Sequence, residues 1–138
     1  MIAFLDACVV IYRFEGSDRL RDQVREVLAS LEREGPDLEV AVSRLSRVEC
    51  LAKPLRQKDR EALARYDEFF GNTDLRIVEL TGEVIESALR VRVETGLKTP
   101  DAIQAACAMT LSGSVVFVTG DRGFCRVSGL RVVMIGPF

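Results

Sequence analysis

Residues 2–13 read IAFLDACVVIYR, and this stretch indicates the fold class. The apolar run at its start predicts a short buried strand over Ile2–Leu5. Asp6 follows that strand directly, and residues 7–13 then read as a short helix. A strand followed at once by a helix is typical of parallel α/β proteins, provided that the same alternation continues along the chain.

The alternation does continue. We predict further strands at 38–42, 75–80, 115–118 and 131–135, and further helices at 17–33, 43–52, 59–70, 81–94 and 99–111. Ser17, Ser43 and Thr99 are the predicted helix caps, Thr81 opens the helix over 81–94 and Gly96 caps its end, and Pro54 closes the helix over 43–52. No linker or repeat interrupts this pattern. The sequence therefore predicts a single α/β domain over 1–138, with a central parallel sheet of about five strands flanked by helices on both faces. Such sheets bind ligands at the carboxyl ends of their strands.

The chain of 138 residues contains no histidine, and this absence limits its chemistry. It excludes Ser-His-Asp and Cys-His nucleophile systems and most catalytic zinc sites. A hydrolase of this composition needs another source of its nucleophile, and metal-bound water is the leading option. The formal net charge of -2 excludes a chain that is basic overall, although 19 basic residues would outnumber the remaining 21 - 4 = 17 acidic ones if four carboxylates held a metal.

The amino-terminal stretch lacks the basic region of a secretion signal, and no apolar run approaches the roughly 18 residues of a membrane span. The four cysteines contain no C-x-x-C pair, so we interpret them as reduced, mostly buried thiols of a cytoplasmic protein. A thiolate zinc site is the alternative, and the cysteine spacing disfavours it.

Two aspartates follow predicted strands directly. Asp6 ends the first strand, and Asp121 follows the strand at 115–118 through Thr119 and Gly120. Both acids should therefore lie at the edge of the sheet where ligands bind. The alternatives are a helix N-cap for Asp6 and an ordinary turn aspartate for Asp121.

Two further acids lie on predicted helices. Asp101 falls in the first turn of the helix that Thr99 and Pro100 open, where the helix dipole alone also favours an acid. Glu49 lies at the border of the predicted inward face of the helix over 43–52, which we assign to Leu45, Val48, Leu51 and Ala52. A surface ion pair with Lys53, four residues later, is the alternative for Glu49.

The four acids share one property, which is that each can reach the ligand-binding edge. Neighbouring carboxylates repel one another unless a cation compensates. Oxygen ligands without histidine or cysteine favour magnesium, manganese or calcium, and magnesium suits phosphodiester hydrolysis. The sequence does not fix whether one or two ions bind. Basic residues near the acids are candidates for phosphate contacts, the alternative being ordinary solvated helix faces; we single out Arg44, Arg47, Lys98 and Arg122.

Through these residues the chain resembles the PIN-domain family, and within it the VapC-type toxins of bacterial toxin–antitoxin pairs. The resemblance covers nearly the whole chain and is most specific at 97–103, LKTPDAI; the other matching segments are 2–11, 43–49 and 117–124. It implies that Asp6, Glu49, Asp101 and Asp121 are catalytic metal ligands, with Thr119 nearby.

The resemblance also implies a Mg²⁺- or Mn²⁺-dependent endoribonuclease that forms a homodimer and has RNA as its substrate. It implies inhibition by a cognate VapB-type antitoxin that binds across the helices at 7–34 and 43–70, often inserting a basic residue toward the acids. Gln104 stands where many relatives carry histidine; we expect activity to survive this difference and RNA choice to change.

Three alternatives remain open. A catalytically weak PIN domain could serve as an RNA- or protein-binding module, although all four acids are present. A phosphatase or receiver-like domain would want a second acid two residues after Asp6, where this chain has Cys8. A DNA nuclease is the third, because a metal–phosphate site alone does not distinguish the two nucleic acids.

Overall fold

A computed structural model describes residues 1–136, so the last two residues of the predicted domain, 137 and 138, lie outside the described residues. Strands and helices alternate in the described part of the chain. Their bounds are β1 Ile2–Leu5, α1 Ala7–Glu15, α2 Asp18–Glu34, β2 Glu39–Ser43, α3 Leu45–Gln57, α4 Arg60–Phe70, β3 Leu75–Val78, α5 Gly82–Thr95, α6 Thr99–Met109, β4 Val115–Thr119, a 3₁₀ turn Arg122–Arg126, and β5 Arg131–Met134.

The five strands form one parallel sheet in the order β3-β2-β1-β4-β5. The first strand is therefore central, with Phe4 opposite Ala41 of β2 on one side and opposite Phe117 of β4 on the other. All four residues of β1 are buried, as expected for a strand that is covered on both faces. The predicted fold class and the number of strands are confirmed.

Alternate residues of β1 serve two separate cores. Ala3 and Leu5 pack with the helices α1 to α4, whereas Ile2 and Phe4 pack with α5 and α6. The Phe4 ring stacks on Phe117 with 5.5 Å between ring centroids. Burying one such aromatic side chain contributes roughly 1.5–3 kcal/mol to stability. Because β1 contributes side chains to both cores, it fixes both layers of helices relative to the sheet.

Several helix ends form where the sequence predicts them. The Ser17 hydroxyl accepts a hydrogen bond from the Leu20 amide at the start of α2, and Thr81 caps α5 in the same way. Gly96 ends α5 with a φ of 74°, a left-handed conformation that glycine adopts without steric cost. These caps set the lengths of the two helices.

The prediction for α3 is wrong in three respects. Ser43 does not cap the helix, because it ends β2 with its side chain buried. Pro54 does not close the helix: its carbonyl accepts from the Asp59 amide at 3.0 Å, and the helix runs to Gln57 before Lys58 turns left-handed. The inward face also differs from the prediction, being formed by Ser46, Cys50, Leu51 and Pro54, while Val48 and Ala52 are exposed.

Two smaller boundaries also differ from the prediction. Thr99 is the first residue of α6 rather than its cap; Lys98 holds the cap position without a side-chain hydrogen bond. Strand β3 ends at Val78, two residues early, because the chain turns toward the Thr81 cap, whose amide bonds to the Glu79 carbonyl. Among residues 1–136, no helix combines the length and the apolar character needed to cross a membrane.

Candidate metal centre at the carboxyl edge of the sheet

Asp6 lies at the centre of the site because β1 is the central strand. Its amide donates to the Val118 carbonyl of β4 at 3.0 Å, which continues the pairing of the two strands by one residue. One carboxylate oxygen, Oδ1, accepts from the Ala7 amide at 2.8 Å, so Asp6 is also the N-cap of α1. The other, Oδ2, accepts from the Thr119 hydroxyl at 2.8 Å. Asp6 therefore caps α1 and also lies at the ligand-binding edge of the sheet, so the two predicted roles coexist.

Burial raises the pKa of the Asp6 carboxyl to about 6, because a charge is costly where water is excluded. The charges of Glu49 and Asp101 raise that pKa further, and the hydrogen bonds from Thr119 and Cys8 lower it. Only 6% of Asp6 is exposed. A buried carboxylate with two acidic neighbours is the environment in which a cation is most strongly stabilised.

Asp101 and Asp121 come to the same edge from different elements. Asp101, in the first turn of α6, is partly buried; burial and the charge of Asp121 raise its pKa, and Lys98 lowers it. Asp121 is exposed, and its Oδ1 accepts from the Gly123 amide at 2.8 Å. The Asp121 amide donates to the Thr119 hydroxyl at 3.0 Å, which connects this loop to Asp6.

Glu49 reaches the site from α3. Its Oε1 accepts a 2.8 Å hydrogen bond from the side-chain amide of Gln104 on α6. In the described part of the chain no ion pair joins Glu49 to Lys53, so the surface-pair alternative does not describe its geometry. The charge of Glu49 still acts on Asp6, which shows that the two carboxylates face the same region.

The donor chemistry fits a hard divalent cation. All four acids offer oxygen ligands, and the Asp6 carboxylate is buried among other negative charges. Across residues 1–136, however, no three of the acidic or cysteine side chains come close enough to enclose an ion by themselves. That arrangement suits magnesium, which keeps several waters and is bound by only one or two carboxylates, with phosphate oxygens completing its shell.

The four predicted phosphate contacts occupy different environments. Arg44 is held by Glu79 in a two-point ion pair with bonds of 2.8 and 2.6 Å, and Arg47 lies over the Phe70 ring, 3.9 Å from Asp67. Lys98 is exposed beside Asp101, and Arg122 is exposed beside Asp121. Lys98 is close enough to Asp101 for its charge to lower the pKa of that carboxyl.

Tyr12 is a residue of this site that the sequence reasoning missed. Its half-buried hydroxyl faces Cys8, Asp6 and Asp121, and burial together with these groups raises its pKa. Its ring packs so closely on Gly120 that a Cβ at that position would overlap the hydroxyl and lie 2.9 Å from Cε2. Helical spacing could have found it, since Cys8 and Tyr12 are four residues apart on α1 and share one face.

The sheet order, the two helical layers and the acids at the carboxyl edge together define a parallel α/β domain with a candidate divalent-cation site. The chain belongs to the PIN domain family, whose sequence model matches residues 3–130. No curated protein sequence matches this chain.

Solved structures with a similar fold span almost the whole chain. The VapBC2 complex from Rickettsia felis, bound to a DNA fragment from its promoter, contains a chain with a TM-score of 0.75 and 18% identity, covering 97% of this chain and 98% of that one. A toxin–antitoxin complex from Klebsiella pneumoniae contains a chain with a TM-score of 0.68 and 21% identity, and the match covers 99% of both chains. VapBC-1 from nontypeable Haemophilus influenzae contains a chain with a TM-score of 0.68 and 14% identity, and the match covers 97% of this chain and 98% of that one. At these identities the likeness concerns the fold.

Proposed function

We propose that this PIN domain is a Mg²⁺- or Mn²⁺-dependent endoribonuclease and the toxin of a VapBC-type toxin–antitoxin pair. The observation that carries the proposal is the environment of Asp6, a buried carboxylate with a raised pKa among other acids at the ligand-binding edge. Membership of the PIN family and the fold shared with solved toxin–antitoxin complexes support it.

In this proposal Asp6, Glu49, Asp101 and Asp121 hold the cation together, one or two of them as direct ligands and the others through its bound waters. When bound, a divalent cation supplies an activated water and offsets the charge of the attacked phosphate. The protein contributes a fixed frame: Thr119 holds Oδ2 of Asp6 and, through the Asp121 amide, the loop that carries the last acid.

Lys98 and Arg122 are the proposed phosphate contacts with the clearest access, because both are exposed beside an acid of the site. Arg44 and Arg47 would have to leave Glu79 and Asp67 before they could bind a phosphate. Exposed ion pairs of this kind are weak, so a polyanion can displace them at little cost.

A groove on the α1–α4 side of the sheet supports a protein partner such as a VapB-type antitoxin. Its volume is about 690 Å³, and it lies between α2 and α4 over the starts of β2 and β3. Its surface is mainly apolar, formed in part by Leu28, Leu38, Phe69 and Leu75, and Arg13 lines one end. The groove thus offers apolar pockets for an amphipathic peptide segment.

Helix α1 connects this groove to the acids. Arg13 lines the groove near the end of α1, and Asp6 caps the start of the same helix. Seven residues of helix span about 10 Å, which three residues of an extended peptide can cover. A partner segment seated in the groove could therefore bring a basic side chain to the acids and compete with the cation.

An exposed apolar stripe on α5 supports the proposed homodimer. Ile85, Leu89 and Val93 recur at a spacing of four residues and are 46%, 58% and 78% exposed. If two copies of α5 pack antiparallel about a two-fold axis at Leu89, then Ile85 faces the partner's Val93 and Glu86 faces the partner's Arg92. Such an axis would therefore place apolar residues against apolar ones and an acid near a base, although Arg92 also donates to the Leu97 carbonyl of its own chain.

We further propose that all of residues 1–138 form one domain and that the protein acts in the cytoplasm, where a VapBC-type toxin would meet both RNA and its antitoxin. Continuous pairing of β1 with β4 supports the single domain, since the two ends of the chain share one sheet.

Cleavage of a total small-RNA pool by the purified, antitoxin-free chain tests the proposal. The assay compares Mg²⁺, Mn²⁺ and chelator, and compares the wild type with Asp101→Asn, using Asp37→Asn in an exposed loop as the matched control. We expect discrete fragments that disappear with chelator, survive in Asp37→Asn, and fall at least 100-fold in Asp101→Asn with an unchanged melting temperature.

Three other outcomes would contradict parts of this proposal. Cleavage by Asp101→Asn at the wild-type rate would exclude Asp101 as a metal ligand. A folded chain that cuts no RNA with either metal would favour the binding-module alternative, and preferential cutting of DNA in a parallel reaction would favour a DNA nuclease.

A further inference from the structure

Gln104 is a fully buried polar side chain that lies directly behind the candidate metal centre. It is 0% exposed and belongs to α6, three residues after Asp101, so both side chains lie on the same side of that helix. Because it is buried, it cannot contact RNA directly. Its effect must pass through its neighbours.

Both amide protons of Gln104 are used on α3. Its Nε2 donates to Oε1 of Glu49 at 2.8 Å and to the hydroxyl of Ser46 at 3.0 Å. Ser46 and Glu49 are three residues apart, so a single carboxamide connects two successive positions on one face of α3. The orientation of the amide follows from chemistry, because a carboxylate can only accept a hydrogen bond.

The carbonyl oxygen of Gln104 has no hydrogen-bond partner within the described residues. Leaving a buried acceptor unpaired is destabilising, and an apolar side chain of similar shape would avoid that cost. A residue placed there for stability alone would not need this arrangement. The side chain is therefore better explained by the group to which it donates, the carboxylate of Glu49.

Glu49 is held by this donor, as two of the other acids are held by theirs. Asp6 is fixed by Ala7 and Thr119, and Asp121 is fixed by Gly123. Glu49 belongs to an exposed position of α3, and a flexible three-carbon side chain there would otherwise sample several rotamers. The bond from Gln104 removes that freedom.

We propose that Gln104 is a positioning residue that holds the Glu49 carboxylate toward the divalent-cation site. The inference rests on the proposed function, because Glu49 matters only if a cation binds. Residues that orient metal ligands typically change metal affinity by 10–100-fold when they are removed. Helix α6 would then supply one acid directly, Asp101, and control a second one through the buried amide.

The test compares Gln104→Met with Ser46→Ala. Methionine has nearly the volume of glutamine and no donor, so it releases Glu49, whereas Ser46→Ala removes the other acceptor and leaves the bond to Glu49 in place. Mn²⁺ titration by calorimetry should show at least a tenfold loss of affinity in Gln104→Met and less than a threefold loss in Ser46→Ala. In a Glu49→Ala background, Gln104→Met should change the affinity less than twofold.

A second measurement needs no metal. The chain has three glutamines and one asparagine, so its side-chain amide NMR signals are few and Gln104→Met assigns that of Gln104. We expect Glu49→Ala to shift this signal and to speed its exchange with solvent, whereas Lys53→Ala on the same helix leaves it in place.

The outcomes distinguish the positioning role of Gln104 from the proposed metal site. Equal losses of Mn²⁺ affinity from Gln104→Met with and without Glu49 would overturn the positioning role and leave the metal site intact. A Gln104 amide signal insensitive to Glu49→Ala would overturn it as well. Failure of the folded wild type to bind Mn²⁺, with the amide signal still sensitive to Glu49, would overturn the proposed metal site and reduce the contact to a structural one.

Discussion

The Thr119 hydroxyl donates a 2.8 Å hydrogen bond to Oδ2 of Asp6 across a separation of 113 residues in sequence. This bond lowers the pKa of Asp6, against burial and the charges of Glu49 and Asp101, which raise it. The same hydroxyl accepts from the Asp121 amide at 3.0 Å. One buried threonine thus sets the ionisation of one acid and the position of another.

Replacing this hydroxyl should therefore change the ionisation of Asp6. In Thr119→Val, which keeps the shape of the side chain, we expect the Asp6 pKa to rise above about 6 because a stabilising donor to the carboxylate is lost. Carbon-13 NMR titration of the Asp6 carboxyl measures this shift. Thr119→Ser retains the hydroxyl and is the matched control; a Val variant that titrates like wild type would show that the bond has no electrostatic effect.

The stability of the metal-free protein should depend on pH through Asp6. Its pKa is about 6 in the folded chain and 3.8 ordinarily, so between pH 4 and 6 the folded state binds more protons than the unfolded state. The free energy of unfolding contributed by Asp6 must then be greatest below pH 4 and fall as pH rises to 6, by about 3 kcal/mol at roughly 1.4 kcal/mol per unit.

Urea unfolding of the wild type and of Asp6→Asn, measured with chelator from pH 4 to 7, isolates this contribution. Asparagine cannot ionise, so the free energy of unfolding of Asp6→Asn should increase relative to that of the wild type as pH rises. A difference that stays constant across this range would contradict the raised pKa. Mg²⁺ added at pH 7 should restore stability to the wild type and not to the variant.

Gly120 should be intolerant of a side chain because of Tyr12. In Gly120→Ala the new Cβ would overlap the tyrosine hydroxyl, so we expect the ring to rotate toward solvent at a cost of about 1 kcal/mol. The chain has two tyrosines and no tryptophan, and Tyr66 is buried, so acrylamide quenching of the emission should rise. Gly82→Ala, with open space at its Cβ, is the control and should leave quenching unchanged.

The proposed α5 interface predicts that a charge at Leu89 prevents dimer formation. In Leu89→Glu the two like charges would meet at the two-fold axis, and light scattering should give the mass of one 15.3 kDa chain at concentrations where the wild type gives two. Leu55→Glu is the matched control, since Leu55 on α3 is similarly exposed. A dimeric Leu89→Glu protein would exclude this surface as the interface.

Local signals in the sequence predict most of the fold. The apolar strand before Asp6, the caps at Ser17 and Thr81, and the end of α5 at Gly96 each depend on residues within a few positions of one another, and all are present. Pro54 shows where such signals fail. A proline disfavours a helix interior because it lacks an N–H donor, yet α3 continues through the buried Pro54 to Gln57.

The relations that organise the site could not be predicted in the same way. Arg44 pairs with Glu79 across 35 residues, and Gln104 donates to Glu49 across 55. Neither separation leaves a pattern in the sequence, because packing between helices and strands determines both. The four acids could be grouped from the sequence since strand ends meet at one edge, whereas their donors depend on how the side chains pack.

The central place of β1 has a consequence for the order in which the site can assemble. Asp6 emerges among the first residues of a growing chain, but Thr119 and Asp121 reach it only when β4 pairs with β1. A chain interrupted before β4 would carry Asp6, Glu49 and Asp101 without the threonine that orients Asp6 and without the last acid. If the protein is the proposed nuclease, unfinished polypeptides should thus be inactive toward RNA, and the capacity to cleave would arise late in synthesis, after most of the sequence has been made.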